Sequence, residues 1–369
     1  MRKVLHIRCT GQLLGAERVI LELGKFLPEF SYHPIIGIPV EANLPRPEFA
    51  IEAEKMGFDI VQFPIKHAFD ISAPARIRRY INEHNIDVVH THGYREDFYA
   101  HHSRNDTHLV ATNHLWKRTN LRLKLYAKID ALLLRSFAHI VAVSNEIAEE
   151  MKTIGLPDNR ISTISNGVDL QRLVTDSNLR NELGIPGNRI VIGTLSSLTT
   201  EKAVDVAIRA LSDSSLAGLP VHLLVVGDGP EMESLLSLTQ ALNLNGSVTF
   251  TGRRQDIPEI LQTIDIFAMP SLKEGLPMAL LEAMAAGKPS IVTPVGEIPT
   301  VIDHTCGRLI EGDPSSFAEA IKTLASNTDL RHTLGDNARQ RISLRYSSHQ
   351  MAKSYADVYN KLLDQGNSK

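Results

Sequence analysis

Residues 264–292 read IDIFAMPSLKEGLPMALLEAMAAGKPSIV: an apolar run, a polar turn, a helical segment and a second apolar run. The apolar runs Ile264–Met269 and Ser290–Val292 predict strands. Between them, Leu276–Ala286 predicts a helix with Pro277 in its first turn and a glycine and a proline shortly after its end. Strand, helix and strand in this order are typical of a parallel α/β sheet.

Two glutamates, Glu274 and Glu282, stand on either side of the predicted helix start. A helix N-terminus offers free N–H groups and a partial positive charge, which suit a phosphate group. Gly275 lets a ligand approach the backbone, and an acidic side chain such as Glu282 accepts hydrogen bonds from a vicinal diol. The segment therefore predicts a site for a ligand that carries phosphate and sugar. An amphipathic helix with two solvated glutamates is the alternative that this segment alone leaves open.

The same alternation of strands and helices continues along most of the chain, which predicts two α/β domains with Rossmann-like parallel sheets. The other predicted strands are Val4–Arg8, Pro34–Ile38, Ile60–Phe63, Val88–Thr91, Leu109–Thr112, Ile140–Val143, Ile161–Ile164, Ile190–Gly193, His222–Val226, Val248–Phe250 and Arg308–Ile310. Residues 169–187 are polar and show no strand period. We therefore expect a first domain over residues 1–170, a linker over 171–187 and a second domain over 188–347.

Composition excludes several classes of protein. With only Cys9 and Cys306 among 369 residues, the chain has no disulfide framework, which fits a reducing compartment. It has no apolar stretch of about 18 residues, and its start predicts a strand and not a signal peptide. The net charge of −3 gives no global attraction to nucleic acid. We expect a cytoplasmic protein without a nucleic-acid partner.

Two such domains are expected to leave a cleft at the carboxyl ends of their strands, where ligands of α/β sheets bind. The loop that follows the first strand contains Gly15 and could hold phosphate through its amides, although a tight turn is the alternative. His90, His92 and His114 also lie at the carboxyl ends of predicted strands, and His114 could bind a sugar hydroxyl or a departing phosphate. A structural role for these histidines stays open. Zinc is disfavoured because no cysteine or His/Glu set accompanies them.

Cations in the second half could neutralise a diphosphate. Lys202 follows a predicted strand and a polar turn, with a surface lysine as the alternative. Arg253 and Arg254 could stack on a base, with solvated surface arginines as the alternative. The sequence contains no Asp-x-Asp pair, the kind of ligand set that a metal-bound diphosphate usually needs. We therefore expect no metal, and positive charge supplied by Lys202 and the helix N-terminus.

Residues 116–129 form a basic segment that also contains large apolar side chains. Its basic residues are Lys117, Arg118, Arg122, Lys124 and Lys128, and its large apolar and aromatic residues are Trp116, Leu121, Leu123, Leu125, Tyr126 and Ile129. A basic amphipathic helix can lie on an anionic membrane. We expect peripheral membrane contact here, with an ordinary packed helix as the alternative.

Several short motifs in a fixed order suggest a family. They are G-A-E-R at 15–18, D-V-V-H-T-H-G at 87–93, V-S-N at 143–145, S-N-G-V-D at 165–169, G-D-G-P at 227–230, F-T-G at 250–252, E-x7-E at 274–282 and G-K-P at 287–289. With these motifs the chain resembles the retaining glycosyltransferases of family 4, which have the two-domain GT-B fold. The resemblance covers nearly the whole chain.

The resemblance implies a nucleotide-sugar donor that lies mostly against the second domain. By it, Glu282 would hold the ribose hydroxyls and Glu274 would contact the transferred sugar. Backbone amides near Leu276 and Met278, together with Gly15, would face the diphosphate.

The resemblance also assigns roles outside the E-x7-E segment. Lys202 would neutralise the diphosphate, and His114 would lie near the sugar. Retention would follow from attack on the front face, with the leaving phosphate accepting the proton of the acceptor. The helix Ser348–Leu363 would return to the first domain.

Three positions depart from the family pattern. Ser197 stands where the family has an arginine, Ala203 where it has a glycine after the lysine, and Leu14 where it has the first glycine of a pair. Loss of an arginine–phosphate contact removes a strong, charge-assisted bond. Either Arg253 or another residue replaces the positive charge of this arginine, or the leaving group is less well stabilised.

Together these features predict a retaining, metal-independent glycosyltransferase. The expected donor is a UDP-hexose or UDP-N-acetylhexosamine, and the expected acceptor is a glycan or lipid-linked molecule in cell-surface polysaccharide or lipopolysaccharide assembly. Synthesis of a small soluble glycoside is an alternative. A protein that binds nucleotide-sugars without catalysis is another, because of Ser197.

Overall fold

In a computed structural model of the chain, the described residues are 1–41, 43–104, 106–113 and 121–366, with only the backbone described for 121–126 and 365–366. The chain divides into two compact units. The first unit contains Met1–Gly167 and Ser348–Lys369, and the second contains Val168–Ser347.

The first unit contains a parallel, seven-stranded sheet with the strand order β3-β2-β1-β4-β5-β6-β7. Its strands are β1 (Arg2–Ile7), β2 (Tyr32–Glu41), β3 (Asp59–Ile65), β4 (Val88–Thr91), β5 (His108–Asn113), β6 (His139–Ala142) and β7 (Ile161–Thr163). Its helices in this part of the chain are α1 (Gly15–Phe26), α2 (Glu48–Lys55), α3 (Ala73–His84), α4 (Tyr94–Ser103), α5 (Leu121–Leu134) and α6 (Asn145–Thr153). Helices cover both faces, so the strands are buried and rich in apolar residues.

The second unit contains a parallel, six-stranded sheet with the order β10-β9-β8-β11-β12-β13. Its strands are β8 (Ile190–Leu195), β9 (Val221–Val226), β10 (Val248–Phe250), β11 (Ile266–Met269), β12 (Ser290–Val292) and β13 (Gly307–Leu309). Its helices are α7 (Val204–Ala210), α8 (Met232–Ala241), α9 (Ile257–Thr263), α10 (Met278–Ala285), α11 (Ile298–Val301), α12 (Pro314–Ala325) and α13 (Thr328–Arg345). Two apolar clusters fill the space between the sheet and these helices.

The last helix, α14 (Ser348–Gly366), belongs to the first unit. Its Ser348 Oγ donates to Glu22 Oε2 of α1 at 3.0 Å, and Asn360 Oδ1 accepts from Tyr32 Oη at 2.7 Å. Tyr355 and Tyr359 of α14 are fully or almost fully buried. The chain therefore closes the first unit with its own C-terminal helix. Among the described helices, none is both long enough and apolar enough to cross a membrane.

Every strand expected from the sequence is present, with ends that differ by a few residues. The helix expected from Leu276 begins instead at Met278, because Pro277 has an extended backbone (φ −77°, ψ 121°) and serves as its N-cap. Much of the segment 171–187, expected as a linker, lies against the core of the second unit. There Leu173, Leu179 and Ile185 are buried.

Candidate functional site

The segment between β11 and α10 brings together several of the predicted donor-site residues. The first hydrogen bonds of α10 run from the N–H groups of Leu280 and Leu281 to Pro277 O, at 3.2 and 3.3 Å. The amides of Met278 and Ala279 come before these bonds, at the end of the helix that carries the partial positive charge. The loop before them contains Glu274 and Gly275. This end of α10 can therefore accept an anion.

Glu274 and Lys202 form an ion pair although 72 residues separate them. Lys202 Nζ lies 2.7 Å from Glu274 Oε1, and Ser271 Oγ donates to the same oxygen at 2.6 Å. The Glu274 side chain is 8% exposed and that of Lys202 is 21% exposed. Lys202 is thus not the freely solvated surface lysine that the sequence left open.

A turn of backbone holds Lys202 in this position. Lys202 ends the 3-10 turn Thr200–Lys202, and the N–H of Leu272 donates to Glu201 O at 2.8 Å. Ala203 follows with φ +45°, in the left-handed region. An alanine is strained in that region and a glycine is not, which explains why the family pattern has glycine there.

A second backbone contact fixes the loop of Glu274. Gly296 has φ +54°, and the N–H of Glu297 donates to Gly275 O at 3.2 Å. A Cβ at position 296 would lie only 2.2 Å from Glu274 O. The close approach needs a glycine at this position.

Glu282 lies on α10 and is buried, with 5% of the residue exposed. Arg172 Nη2 donates a short hydrogen bond to Glu282 Oε1, and the two side chains form an ion pair. Sequence reasoning did not find Arg172, because 110 residues separate it from Glu282.

Ser197, which stands where the family pattern has an arginine, is exposed. Ser197 lies in the loop after β8, and the next residue, Leu198, is buried. The N–H of Leu198 donates to Asp228 O at 2.9 Å, which ties this loop to the loop after β9. Ser197 therefore stands where a longer side chain would have room.

The two arginines after β10 differ in their surroundings. Arg253 is exposed. Arg254 is not the freely solvated surface arginine that the sequence left open, because it forms ion pairs with Asp256 and Glu182. Of the pair, Arg253 is the more exposed to solvent.

In the first unit, Gly15 begins α1 and Leu14 is its N-cap, with 52% of Leu14 exposed. The N–H of Leu14 donates to Glu17 Oε2 at 3.0 Å, and Glu17 Oε1 accepts from Arg8 Nε at 2.8 Å. The predicted residues His114 and Trp116–Asn120 lie outside the described residues. The expected roles of Gly15 and His114 therefore stay predictions.

A cavity of about 450 Å³ opens at the carboxyl ends of β1, β4 and β5. Its polar lining includes Arg8, Glu17, Glu96, Asp97 and Asp130. Burial, with Asp130 beside it, raises the pKa of Asp97 well above the ordinary range of a carboxyl group. Arg8 and these carboxyl groups give the cavity a largely polar lining, which suits a polar ligand.

His6, His90 and His92 form a buried cluster on one face of this sheet, with nitrogen atoms within 4.8 Å of one another. His6 Nδ1 lies 3.1 Å from His92 Nε2. His90 bonds to Tyr359 Oη at 2.6 Å and to Thr112 Oγ1 at 2.7 Å. Burial lowers the pKa of His6 to about 3. These bonds tie α14 to the sheet, and His90 would have to give one up to bind a metal.

Comparison with known proteins gives family matches for both halves of the chain. The model described as Glycosyltransferase Family 4 matches residues 14–172. The model described as Glycosyl transferases group 1 matches residues 175–341. The E-x7-E segment, Lys202 and Ser197 fall within the second match.

Two curated relatives match along nearly their whole length. The N-acetyl-alpha-D-glucosaminyl L-malate synthase of Bacillus anthracis is 27% identical, over 98% of this chain and 98% of the relative. The UDP-Gal:alpha-D-GlcNAc-diphosphoundecaprenol alpha-1,3-galactosyltransferase of Escherichia coli is 25% identical, over 97% and 96%. Among solved structures, Anabaena HepE in complex with UDP and glucose has a TM-score of 0.83 at 21% identity, covering 98% of this chain and 100% of that chain. That structure supports the same fold, GT-B.

Proposed function

The chain belongs to the family 4-like glycosyltransferases of the GT-B fold, and from that premise we propose that it transfers a sugar from a UDP-sugar with retention of configuration and without a metal. The donor is a UDP-hexose or UDP-N-acetylhexosamine that binds to the second unit. The observation that carries the proposal is the buried Glu282 carboxylate on α10, preceded by Glu274 in the loop before the helix.

Each glutamate has a separate role in this proposal. Glu282 accepts hydrogen bonds from the ribose hydroxyls, as acidic residues do in other nucleotide sites. Glu274 contacts hydroxyls of the transferred sugar. The amides at Leu276 and Met278 and the charge of Lys202 face the diphosphate, with Gly275 leaving the backbone open.

Lys202 changes partner in the course of donor binding. Without a donor, its ammonium group pairs with Glu274 at 2.7 Å. The diphosphate carries more negative charge than one carboxylate, and so it draws Lys202 toward itself. Arg253, which is exposed, supplies the second cation that Ser197 does not.

The reaction balances without an added base. The bond between the anomeric carbon and the phosphate oxygen breaks, and the acceptor oxygen forms a new bond to the same face of that carbon. The leaving phosphate takes the proton of the acceptor hydroxyl. Lys202 and the N-terminal amides of α10 stabilise the negative charge on the leaving diphosphate, the task that a metal performs in other sites.

The acceptor binds in the cavity of the first unit. With about 450 Å³, this cavity can hold a small polar molecule or the terminal sugar of a larger one. A glycan or lipid-linked acceptor agrees with the Escherichia coli relative. A small soluble acceptor is the second candidate, and the Bacillus anthracis relative, which matches over 98% of both chains, favours it.

Residues 116–129 contact an anionic membrane surface if the acceptor is lipid-linked. Of this segment the structure describes the side chains from Ala127 onward. In α5, Lys128 is exposed, and Ile129 and Leu132 are 43% and 63% exposed. Flotation with neutral and with anionic liposomes tests the contact, and equal recovery with both would end the idea.

A thermal-shift screen with UDP-, GDP- and ADP-sugars tests the donor, because a ligand that binds the folded state raises Tm. UDP-sugars should give the largest shift. UDP release is then measured with L-malate and with a lipid-linked N-acetylglucosamine diphosphate as acceptors, each with and without EDTA. Release that EDTA abolishes would contradict the metal-free mechanism. Tight donor binding without release on any acceptor would favour a binding protein.

A further inference from the structure

Glu282 has a partner that neither the sequence motifs nor the proposed function accounts for. We propose that Arg172 is a positioning residue of the donor site, which orients Glu282 so that one carboxylate oxygen is held and the other faces the ribose diol. The inference rests on the proposed function, since it assumes that Glu282 binds ribose.

The contact itself is specific. Arg172 Nη2 reaches Glu282 Oε1 in a charge-assisted hydrogen bond. The side chain of Glu282 is 6% exposed and that of Arg172 is 31% exposed. A buried carboxylate needs an opposite charge beside it, because burial disfavours an unpaired charge strongly. The printed contact engages one carboxylate oxygen of Glu282, Oε1.

The backbone around Arg172 is held on both sides. Asp169 is buried, and its Oδ1 accepts from the N–H of Gln171 at 3.0 Å, which starts the 3-10 turn Gln171–Leu173. Leu173, the next residue after Arg172, is buried in the apolar cluster under the sheet. Arg172 is therefore presented from a fixed turn, and its direction is set before a ligand arrives.

The position of Arg172 in the chain also restricts the movement of its turn. Arg172 lies four residues after Val168, where the second unit begins. The N–H of Val168 donates to Tyr346 O at 2.8 Å, and Val168 forms a bridge with Ser347, at the other end of the same unit. The turn that carries Arg172 is thus anchored where the chain enters and leaves the second unit.

A diol that donates two hydrogen bonds needs a carboxylate with a defined orientation. Without Arg172, the carboxylate of Glu282 loses its charged partner. It can then rotate away from the ribose, or it takes up water that must be removed before the ribose binds. A hydrogen bond to a charged group contributes enough for a loss of about tenfold to a hundredfold in affinity. The loss should concern ligands with a ribose diol and spare those without one.

The test compares UDP with 2′,3′-dideoxy-UDP by calorimetry on the full-length protein. Arg172→Gln should weaken UDP binding at least about tenfold and leave the dideoxy ligand nearly unchanged. Arg172→Lys keeps the positive charge and should recover part of the affinity for UDP. This variant also provides the test if Arg172→Gln does not fold. In turnover, KM for the UDP-sugar should rise while kcat changes little.

Arg180→Gln is the matched control. Arg180 also pairs with an acid of the second unit, Asp265, at 2.7 Å, but Asp265 lies at the amino end of β11, opposite the end that leads to Glu274. This variant should lower stability without changing the ratio of the two affinities.

The outcomes separate the two proposals. A wild-type protein that binds no UDP would overturn the proposed function and this inference with it. Wild-type binding together with equal UDP affinity in Arg172→Gln and Arg172→Lys would overturn the inference alone. Tighter UDP binding in the variants would also overturn it, because Arg172 would then compete with the ribose for Glu282.

Discussion

Replacing Gly296 by alanine should displace the loop that carries Glu274. The new Cβ would lie 2.2 Å from Glu274 O, whereas real Cβ contacts stay beyond 3.0 Å, so the backbone must move by about 0.8 Å. Because φ is +54°, the alanine is also strained, at about 1–2 kcal/mol. The neighbour is a backbone carbonyl, which cannot rotate away as a flexible side chain could.

A displacement of this size matters because the proposed role of Glu274 depends on position. A shift of about 1 Å at a positioned group can reduce turnover about a hundredfold. We therefore expect kcat of Gly296→Ala to fall between about tenfold and a hundredfold. The assay is UDP release from the UDP-sugar that raises Tm most, with unfolding followed in parallel.

Gly218→Ala serves as the control for strain. Gly218 belongs to the same unit and has φ +81°, but a Cβ there meets no atom within 4 Å. It lies before the amino end of β9, away from α10. Both variants carry the strain and only Gly296→Ala carries the clash. Equal loss of turnover in the two variants would refute the argument that the clash displaces Glu274.

Three further predictions follow from the same structure. Glu274→Ala should mainly lower kcat and Glu282→Ala should mainly weaken UDP binding; calorimetry and steady-state kinetics separate the two, and unaltered UDP affinity in Glu282→Ala would contradict the ribose role. Ala203→Gly should raise the free energy of unfolding by about 1 kcal/mol, because φ is +45° there, and a urea titration that shows a loss instead would contradict the strain. The pKa of His6 is about 3 in the folded protein, against 6.5 for an ordinary histidine. The neutral side chain therefore contributes fully to the free energy of unfolding above pH 6.5, and this contribution is lost as the pH falls toward 3. Between pH 7 and pH 5 the unfolding free energy should fall by about 2 kcal/mol from this group, and His6→Asn should show a shallower decline.

The strands could be predicted from the sequence because parallel strands buried on both faces are short and apolar. All six residues of β9 are buried, and their letters, VHLLVV, show this run directly. Strand ends were less certain, since hydrogen bonds and not composition decide where a strand stops. The start of α10 was misplaced by two residues because proline fits both the first turn of a helix and, as here, an extended N-cap.

The predicted site residues were easier to name than their partners. The motif pointed to Glu274, Glu282 and Lys202, but only tertiary structure shows that Lys202 pairs with Glu274 and Arg172 with Glu282. Such pairs join segments far apart in the chain, and no local pattern encodes them. The left-handed backbone of Ala203 could not be predicted from local sequence either, because only the folded structure shows it.

The histidine cluster had a partial signal. His90 lies in β4 and His92 directly follows it, so the spacing of two places both side chains on the same side of the extended chain. His6 joins them because β1 pairs with β4 in a register that sets His6 beside His90. The bonds from His90 to Tyr359 and Thr112 depend on α14, whose return to the first unit only the resemblance suggested.

Proton NMR of a UDP-α-sugar incubated with the protein tests the central claim most directly, with the donor chosen by thermal shift and the acceptors L-malate and a lipid-linked N-acetylglucosamine diphosphate. If the second unit binds the donor and the reaction retains configuration, UDP and an α-linked product should appear at the same rate, with EDTA present or absent. A β-linked product, or donor that binds and stays intact with every acceptor, would contradict the account.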